Sequence, residues 1–109
     1  MSAVEFVRVL PLTDLPDGER VFLELDGQAV VLLHLAGKLF AVGDVCTHDN
    51  APLGDGEVQD GQVICPRHGA RFDLSSGKAV RLPAVRPIPT YAVRVSEDGW
   101  IEISRTPKE

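Results

Sequence analysis

Residues 20–43 read RVFLELDGQAVVLLHLAGKLFAVG, and two features of that stretch decide the fold class. Asp26-Gly27 and Ala36-Gly37 are two-residue turn signals, because a tight hairpin needs positive φ at its centre and glycine reaches that region without a Cβ clash. The runs on either side are rich in Val, Leu and Phe, a composition that suits a pleated, half-buried surface. Three strands joined by two hairpins follow.

The same punctuation recurs outward along the chain at Asp60-Gly61, Ser76-Gly77 and Asp98-Gly99. Between the turns, strands are expected over residues 6–10, 20–25, 29–35, 39–42, 62–64, 70–74, 91–95 and 100–103. None of these runs is long or amphipathic enough for a helix of ordinary size. The expected fold is all-β, a mostly antiparallel sandwich or barrel with alternate side chains turned inward. Pro83, Pro87 and Pro89 exclude a central strand between 83 and 89, since proline lacks the ladder donor, and leave a covering loop or an edge. Residues 43–56 and 66–69 break the alternation with Cys, His, Asp, Asn, Pro and Gly. They read as loops on a rigid scaffold, where chemistry tends to be placed.

A length of 109 residues suits a single domain over 1–109, and 44% hydrophobic with 25% charged residues is ordinary globular composition. The net charge of −5 argues against nucleic acid as the partner, because phosphate neutralisation needs clustered Lys and Arg. The first ten residues lack the basic run and apolar stretch of a secretory signal. The longest apolar run, residues 29–36, is too short to span a bilayer. A cytoplasmic, monomeric protein with no membrane association is the expectation.

The two cysteines leave a disulfide, buried thiols or a metal site open, the first being least expected inside a cell. Their neighbours narrow the choice. Cys46-Thr47-His48 and Cys65-Pro66-Arg67-His68 each pair a thiol with an imidazole, with sixteen residues, 49–64, between them. Two tight loops after strands can face each other as a pincer, which suits a binuclear centre. A structural zinc site usually groups cysteines with cysteines and histidines with histidines, and here each pair is split.

Cys-X-His followed by Cys-X-X-His at this separation resembles the signature of Rieske iron–sulfur proteins. Pro52-Leu53, Cys65-Pro66-Arg67-His68-Gly69 and Phe72-Asp73 are similar to the soluble Rieske ferredoxins that serve bacterial oxygenases. The resemblance implies a Rieske-like antiparallel β fold with a small two-loop cluster-binding subdomain, loops at about 43–56 and 65–78, and one [2Fe–2S] cluster. It implies that Cys46 and Cys65 hold an inner iron while His48 and His68 hold an outer iron near the surface. Such a cluster is neutral when oxidised and singly negative when reduced, whereas four thiolates start from a double negative charge. Two histidines therefore raise the potential.

The implied function is that of a single-electron carrier passing electrons from a flavin reductase to a Rieske non-haem iron oxygenase, through transient encounters at the His48 and His68 edge. A ferredoxin linked to iron–sulfur cluster assembly or redox sensing is the alternative with the same ligands. An oxygenase catalytic subunit needs a further site of two histidines and a carboxylate, and only three histidines are present. A reductase needs a dinucleotide-binding glycine turn, and none follows a strand. The chain is thus expected to be no enzyme.

Other residues carry weaker readings. His34, on a strand face with Val30 and Leu32, reads as a packing histidine, and Leu53 reads as a shield for the cluster or as plain packing. Asp44, Asp49, Asp55, Glu57 and Asp60 read as a solvated acidic face that could steer a basic partner. Arg67 and Arg71, near His68, make the docking edge mixed in sign.

Respiratory-chain Rieske proteins carry an extra cysteine in each loop and a Ser and a Tyr that bond to the cluster. The corresponding positions here are Ala51, Arg67, Ala70 and Phe72. Without that disulfide and those hydroxyls, voltammetry should find a potential toward the low end of the Rieske range of roughly −150 to +300 mV. It should be flat near neutral pH and fall in alkali as the ligand imidazoles lose their remaining ring protons.

Overall fold

The computed structural model describes residues 4–45, 52–66, 69–82 and 86–108. In chain order the strands are β1 (Phe6–Pro11), β2 (Arg20–Leu25), β3 (Gln28–Leu35), β4 (Lys38–Gly43), β5 (Val58–Gln59), β6 (Gln62–Ile64), β7 (Arg71–Asp73), β8 (Ala79–Arg81), β9 (Thr90–Tyr91), β10 (Val93–Val95) and β11 (Trp100–Ser104). One short 3-10 turn, Leu12–Asp14, follows β1. The strands form three sheets among the described residues, ordered β1-β11-β10, β2-β3-β4-β9 and β5-β6-β7-β8. Every pairing is antiparallel, so the all-β expectation holds. No helix among the described residues is long and apolar enough to cross a membrane.

The central sheet is a wall with a core on each side. Successive strand residues face opposite ways, yet Val30, Val31, Leu32 and Leu33 of β3 are all at most 1% exposed. Val30 and Leu32 pack with Leu15, Leu25, Ala41, Tyr91, Ile101 and Ile103, against the β1-β11-β10 sheet. Val31 and Leu33 pack with Val42, Leu53, Val63, Cys65, Phe72 and Ile88, against the β5-to-β8 sheet. Simple alternation would bury one face only. The unbroken Val-Val-Leu-Leu run is what a strand covered on both sides requires, at roughly 1.5–3 kcal/mol of burial for each such side chain.

Two expected boundaries change for tertiary reasons. The run over 91–95 is two strands: β9 pairs with β4 in the central sheet, and β10 pairs with β11 in the outer one. Ala92 makes the corner, where its amide donates to Ser104 Oγ at 2.9 Å and its carbonyl accepts from the Ser104 amide at 2.8 Å. The short strands β5 and β8 carry no sequence signal of their own and form by pairing with β6 and β7.

His34 is a structural residue, as its strand position suggested. Its Nδ1–H donates to the Leu15 carbonyl at 2.7 Å and its Nε2 lies 3.6 Å from Asp17 Oδ1. With backbone bonds to Gly18 and Glu19, it staples residues 15–19 to β3.

The hairpins β2-β3, β3-β4 and β5-β6 each turn on two residues with positive φ, and at Ala36 (φ 50°) and Gly37 (φ 78°) the first is an alanine. A Cβ in the left-handed region costs about 1–2 kcal/mol. Replacing Ala36 by Asn or Gly should therefore stabilise the protein by about 0.5–1 kcal/mol, read from the midpoint of urea unfolding. Ala36→Val should lower that midpoint.

Candidate metal centre

Both candidate loops are closed at their bases by hydrogen bonds. β4 ends at Gly43, and the next residue, Asp44, donates its amide to the Ala29 carbonyl at 2.9 Å. The Asp44 Oδ1 then accepts from the amides of Leu53 at 2.8 Å and Gly54 at 2.6 Å. One carboxylate oxygen thus gathers the two ends of the segment that contains Cys46 and His48. Arg20, at the start of β2, donates from Nη1 to the carbonyls of Gly54 and Gly56, the latter at 2.9 Å. The chain leaving the loop is thereby held to the central sheet.

The second loop hangs from the β6-β7 hairpin, in which Ile64 faces Arg71 and Val63 faces Phe72. Cys65 donates its amide to the Ala70 carbonyl at 2.7 Å, and its carbonyl accepts from Gly69 at 3.0 Å. Gly69 takes φ 73°, which lets the chain turn back so sharply. Cys65 is 1% exposed, a free thiol inside the apolar cluster that contains Leu53, Ala70 and Phe72.

The two loop bases also touch. Ile64, the residue before Cys65, donates to Glu57 O at 2.9 Å, just past Gly56, which itself donates to Leu53 O at 2.9 Å within the first loop. A Cβ on Gly56 would sit 1.8 Å from the Ile64 carbonyl oxygen, so the approach depends on that glycine. The proline segment closes the assembly from a third side. Gly43 donates to Pro89 O and Ile88 to Gly77 O, each at 2.8 Å, while Ile88 is buried in the same core as Cys65. Residues 86–89 of this segment lie as a covering strap, one of the two readings the prolines left open, while 83–85 lie outside the described residues.

Of the four expected ligands, Cys65 is placed as described. Cys46, His48 and His68 lie outside the described residues, as do Asp49, Ala51, Arg67 and Pro83. Leu53 is wholly buried and packs beside Cys65. Asp55, Glu57 and Asp60 are exposed, in keeping with a solvated acidic face, but Asp44 is not part of it. Its carboxylate is half-buried and spent on the loop neck. Arg20, Asp44 and Gly56 have no motif that marks them. The available hint is a charge at the start of one apolar strand and another just past the end of a second.

Comparison with known proteins gives the class. The Rieske [2Fe–2S] domain model matches residues 5–92. The 3-phenylpropionate/cinnamic acid dioxygenase ferredoxin subunit of Escherichia coli (strain K12) is 41% identical over 95 residues, covering 85% of this chain and 87% of that one. The ferredoxin component of the naphthalene 1,2-dioxygenase/salicylate 5-hydroxylase systems of Ralstonia sp is 34% identical over 84 residues, 77% of this chain and 81% of its own. Among solved structures, the ferredoxin of carbazole 1,9a-dioxygenase from Nocardioides aromaticivorans IC177 superposes with a TM-score of 0.83 at 30% identity, covering 94% of this chain and 98% of that one.

The chain belongs to the Rieske [2Fe–2S] domain family. It is a ferredoxin, a carrier of single electrons on one Rieske-type cluster rather than an enzyme in its own right. The described residues fit that cofactor. A buried, unbridged thiol stands at the base of a closed loop, and the sequence sets one sulfur and one nitrogen donor in each loop.

Loss of the Asp44 clasp strands two amides that one carboxylate now serves, and hydrogen bonds to a charged group are worth about 1.5–3 kcal/mol. Asp44→Ala should lower unfolding stability by about that amount and speed loss of iron on dilution into a chelator, followed by visible absorbance. Asp44→Asn, which keeps the acceptor oxygen, should fall between Asp44→Ala and wild type.

Proposed function

We propose that Cys46 and Cys65 hold the inner iron of the cluster and His48 and His68 the outer one, within one domain over residues 1–109. The observation that supports this assignment most is the joining of the two loop bases through Gly56, Glu57 and Ile64. It brings together the stems of the two loops whose sequences carry the Cys/His pairs, as a shared cluster would require.

When bound, the cluster supplies a one-electron couple whose reduced form gains a single negative charge. The protein's part is to hold the ligands still and to limit water. Cys65 lies among Leu53, Ala70, Phe72 and Ile88, so the thiolate side is set in apolar packing. Ala70 and Phe72 line it without a hydroxyl, which favours the lower potentials of the family. The imidazole edge is the side through which electrons enter and leave.

The carrier reading extends to partners by the names of the relatives, which are ferredoxin components of dioxygenase systems. A flavoprotein reductase supplies the electron and an oxygenase component receives it, each in a brief encounter with a monomeric ferredoxin in the cytoplasm. Such exchange needs a small, quickly released interface.

Optical and EPR spectra of the purified protein before and after dithionite test the ligand set. Wild type should be red-brown and give the rhombic signal of a reduced Rieske cluster. Cys65→Ser and His68→Ala should each lose the wild-type spectrum, while His34→Asn should keep it. A Cys65→Ser protein with wild-type spectra would overturn the assignment. Reoxidation of the reduced wild type by an oxygenase component, followed by stopped flow, tests the partner.

A further inference from the structure

Charge is segregated along this chain. Between residues 62 and 95 stand Arg67, Arg71, Lys78, Arg81, Arg86 and Arg94 against the lone carboxylate Asp73, in a protein whose net charge is −5. The β5-to-β8 sheet carries that division across its width. Asp55, Glu57 and Asp60 flank the β5 edge, while Lys78 and Arg81 stand on the β8 edge with Arg71 on the neighbouring strand.

Four arginines elsewhere in the fold have partners that the cations of the β8 edge lack among the described residues. Arg8 meets Asp98 at 2.6 Å, Arg94 meets Glu102 at 2.6 Å, Arg105 meets both Glu5 and Asp26, and Arg20 bonds two carbonyls. Arg71, Lys78 and Arg81 have no ion pair among the described residues, and Arg71 Nε is buried with no hydrogen-bond partner there.

The strand register makes this costlier. Phe72 faces Ala79, so a regular ladder would set Val80 opposite Arg71, but the register shifts and Arg81 stands there instead. Like charges directly across a ladder destabilise it, and a bulge is the usual means of re-aiming a side chain. Beside the pair, Val80 is 47% exposed and Leu82 is 73% exposed. A single Lys would suffice to blunt an edge strand against aggregation. Two opposed arginines around exposed aliphatic groups are the chemistry of an interface whose complement is absent.

We propose that the β8 edge, formed by Arg71, Lys78 and Arg81 around Val80 and Leu82, docks a carboxylate-rich protein face on the electron-accepting oxygenase component. Arg71 and Arg81 stand at the end of the β7-β8 ladder next to the loop of Cys65, and Lys78 at its other end beside Asp73, so a partner seated along this edge reaches the Cys65 end of the sheet. The identity of the acceptor rests on the function proposed above; the sign of its surface rests on this edge alone. A nucleic acid is disfavoured as occupant, because three cations on a net-acidic protein neutralise too little of a phosphate backbone.

The experiment uses the cluster-loaded protein, chemically reduced, and follows its reoxidation by the oxygenase component in stopped flow. One electron leaves the ferredoxin, which is oxidised, and enters the oxygenase, which is reduced. Lys78→Glu and Arg81→Glu should each lower the second-order rate about tenfold at low ionic strength and weaken or invert its salt dependence. Leu82→Ser should lower it with the salt slope unchanged. Lys38→Glu, at the β3-β4 turn, makes the same change in net charge and should leave the rate near wild type. Ferricyanide oxidation and unchanged EPR spectra of each variant establish that the cluster is intact.

Edge variants that match wild type in rate and salt slope, while wild type reoxidises normally, overturn the proposal and leave the carrier reading standing. Binding of wild type to phosphatidylserine vesicles that the edge variants lose, with oxygenase rates unaffected, also overturns it in favour of a membrane surface. A wild type that passes electrons to no oxygenase component fails the acceptor reading itself, and the docking proposal with it.

Discussion

The neck of the first loop is the constraint on which the site depends. Asp44 Oδ1 accepts from the amides of Leu53 and Gly54, and Arg20 donates to the carbonyls of Gly54 and Gly56. A carboxylate accepting two amides and a guanidinium spanning two carbonyls are charge-assisted bonds, stronger than neutral ones and directional. They join β2 and the end of β4 to the returning chain, so the stems of the loop cannot part without breaking bonds at several points. The stems of the loop share the rigidity of the central sheet. A redox carrier benefits from such a scaffold, because ligands on a loop are only as well placed as the elements that anchor it.

That sheet is rigid because it is buried on both faces. β3 contributes to two cores at once, through Val30 and Leu32 on one side and Val31 and Leu33 on the other. The core against the β5-to-β8 sheet is continuous with the site, since Leu53, Cys65, Ala70, Phe72 and Ile88 belong to it. Folding energy and ligand placement therefore share the same side chains. Close packing resists small displacements, so a change in volume at Phe72 or Leu53 would reach Cys65 directly.

The surface divides the same way as the interior. Arg8, Arg94 and Arg105 are neutralised by neighbouring carboxylates, and Arg20 is spent on two carbonyls, which gives rigidity with little external field. At the β8 edge the field is left open. A protein of negative net charge with a basic edge uncompensated among the described residues has surfaces of opposite sign, which a carrier proposed to bind, release and bind again could use.

How much of this could be read from the sequence depends on the range of the interactions involved. Turn glycines and apolar runs act locally, so the strands of 20–43 and the all-β class were legible, as was the family signature in Cys46, His48, Cys65 and His68. His34, set apart from the expected ligands by its place in an apolar strand, bonds the Leu15 carbonyl. The roles of Asp44 and Arg20 were hidden, because each acts on backbone groups nine or more positions away and no residue type signals a backbone partner. The sharing of β3 between two cores, the corner at Ala92 and the shift that sets Arg81 across from Arg71 were equally hidden. Local propensity and a spaced set of donors determined what this protein is made to carry. Only the tertiary structure, in which distant segments compete for the same hydrogen bonds and the same buried space, decided how the loops are clasped and which charges are left for a partner.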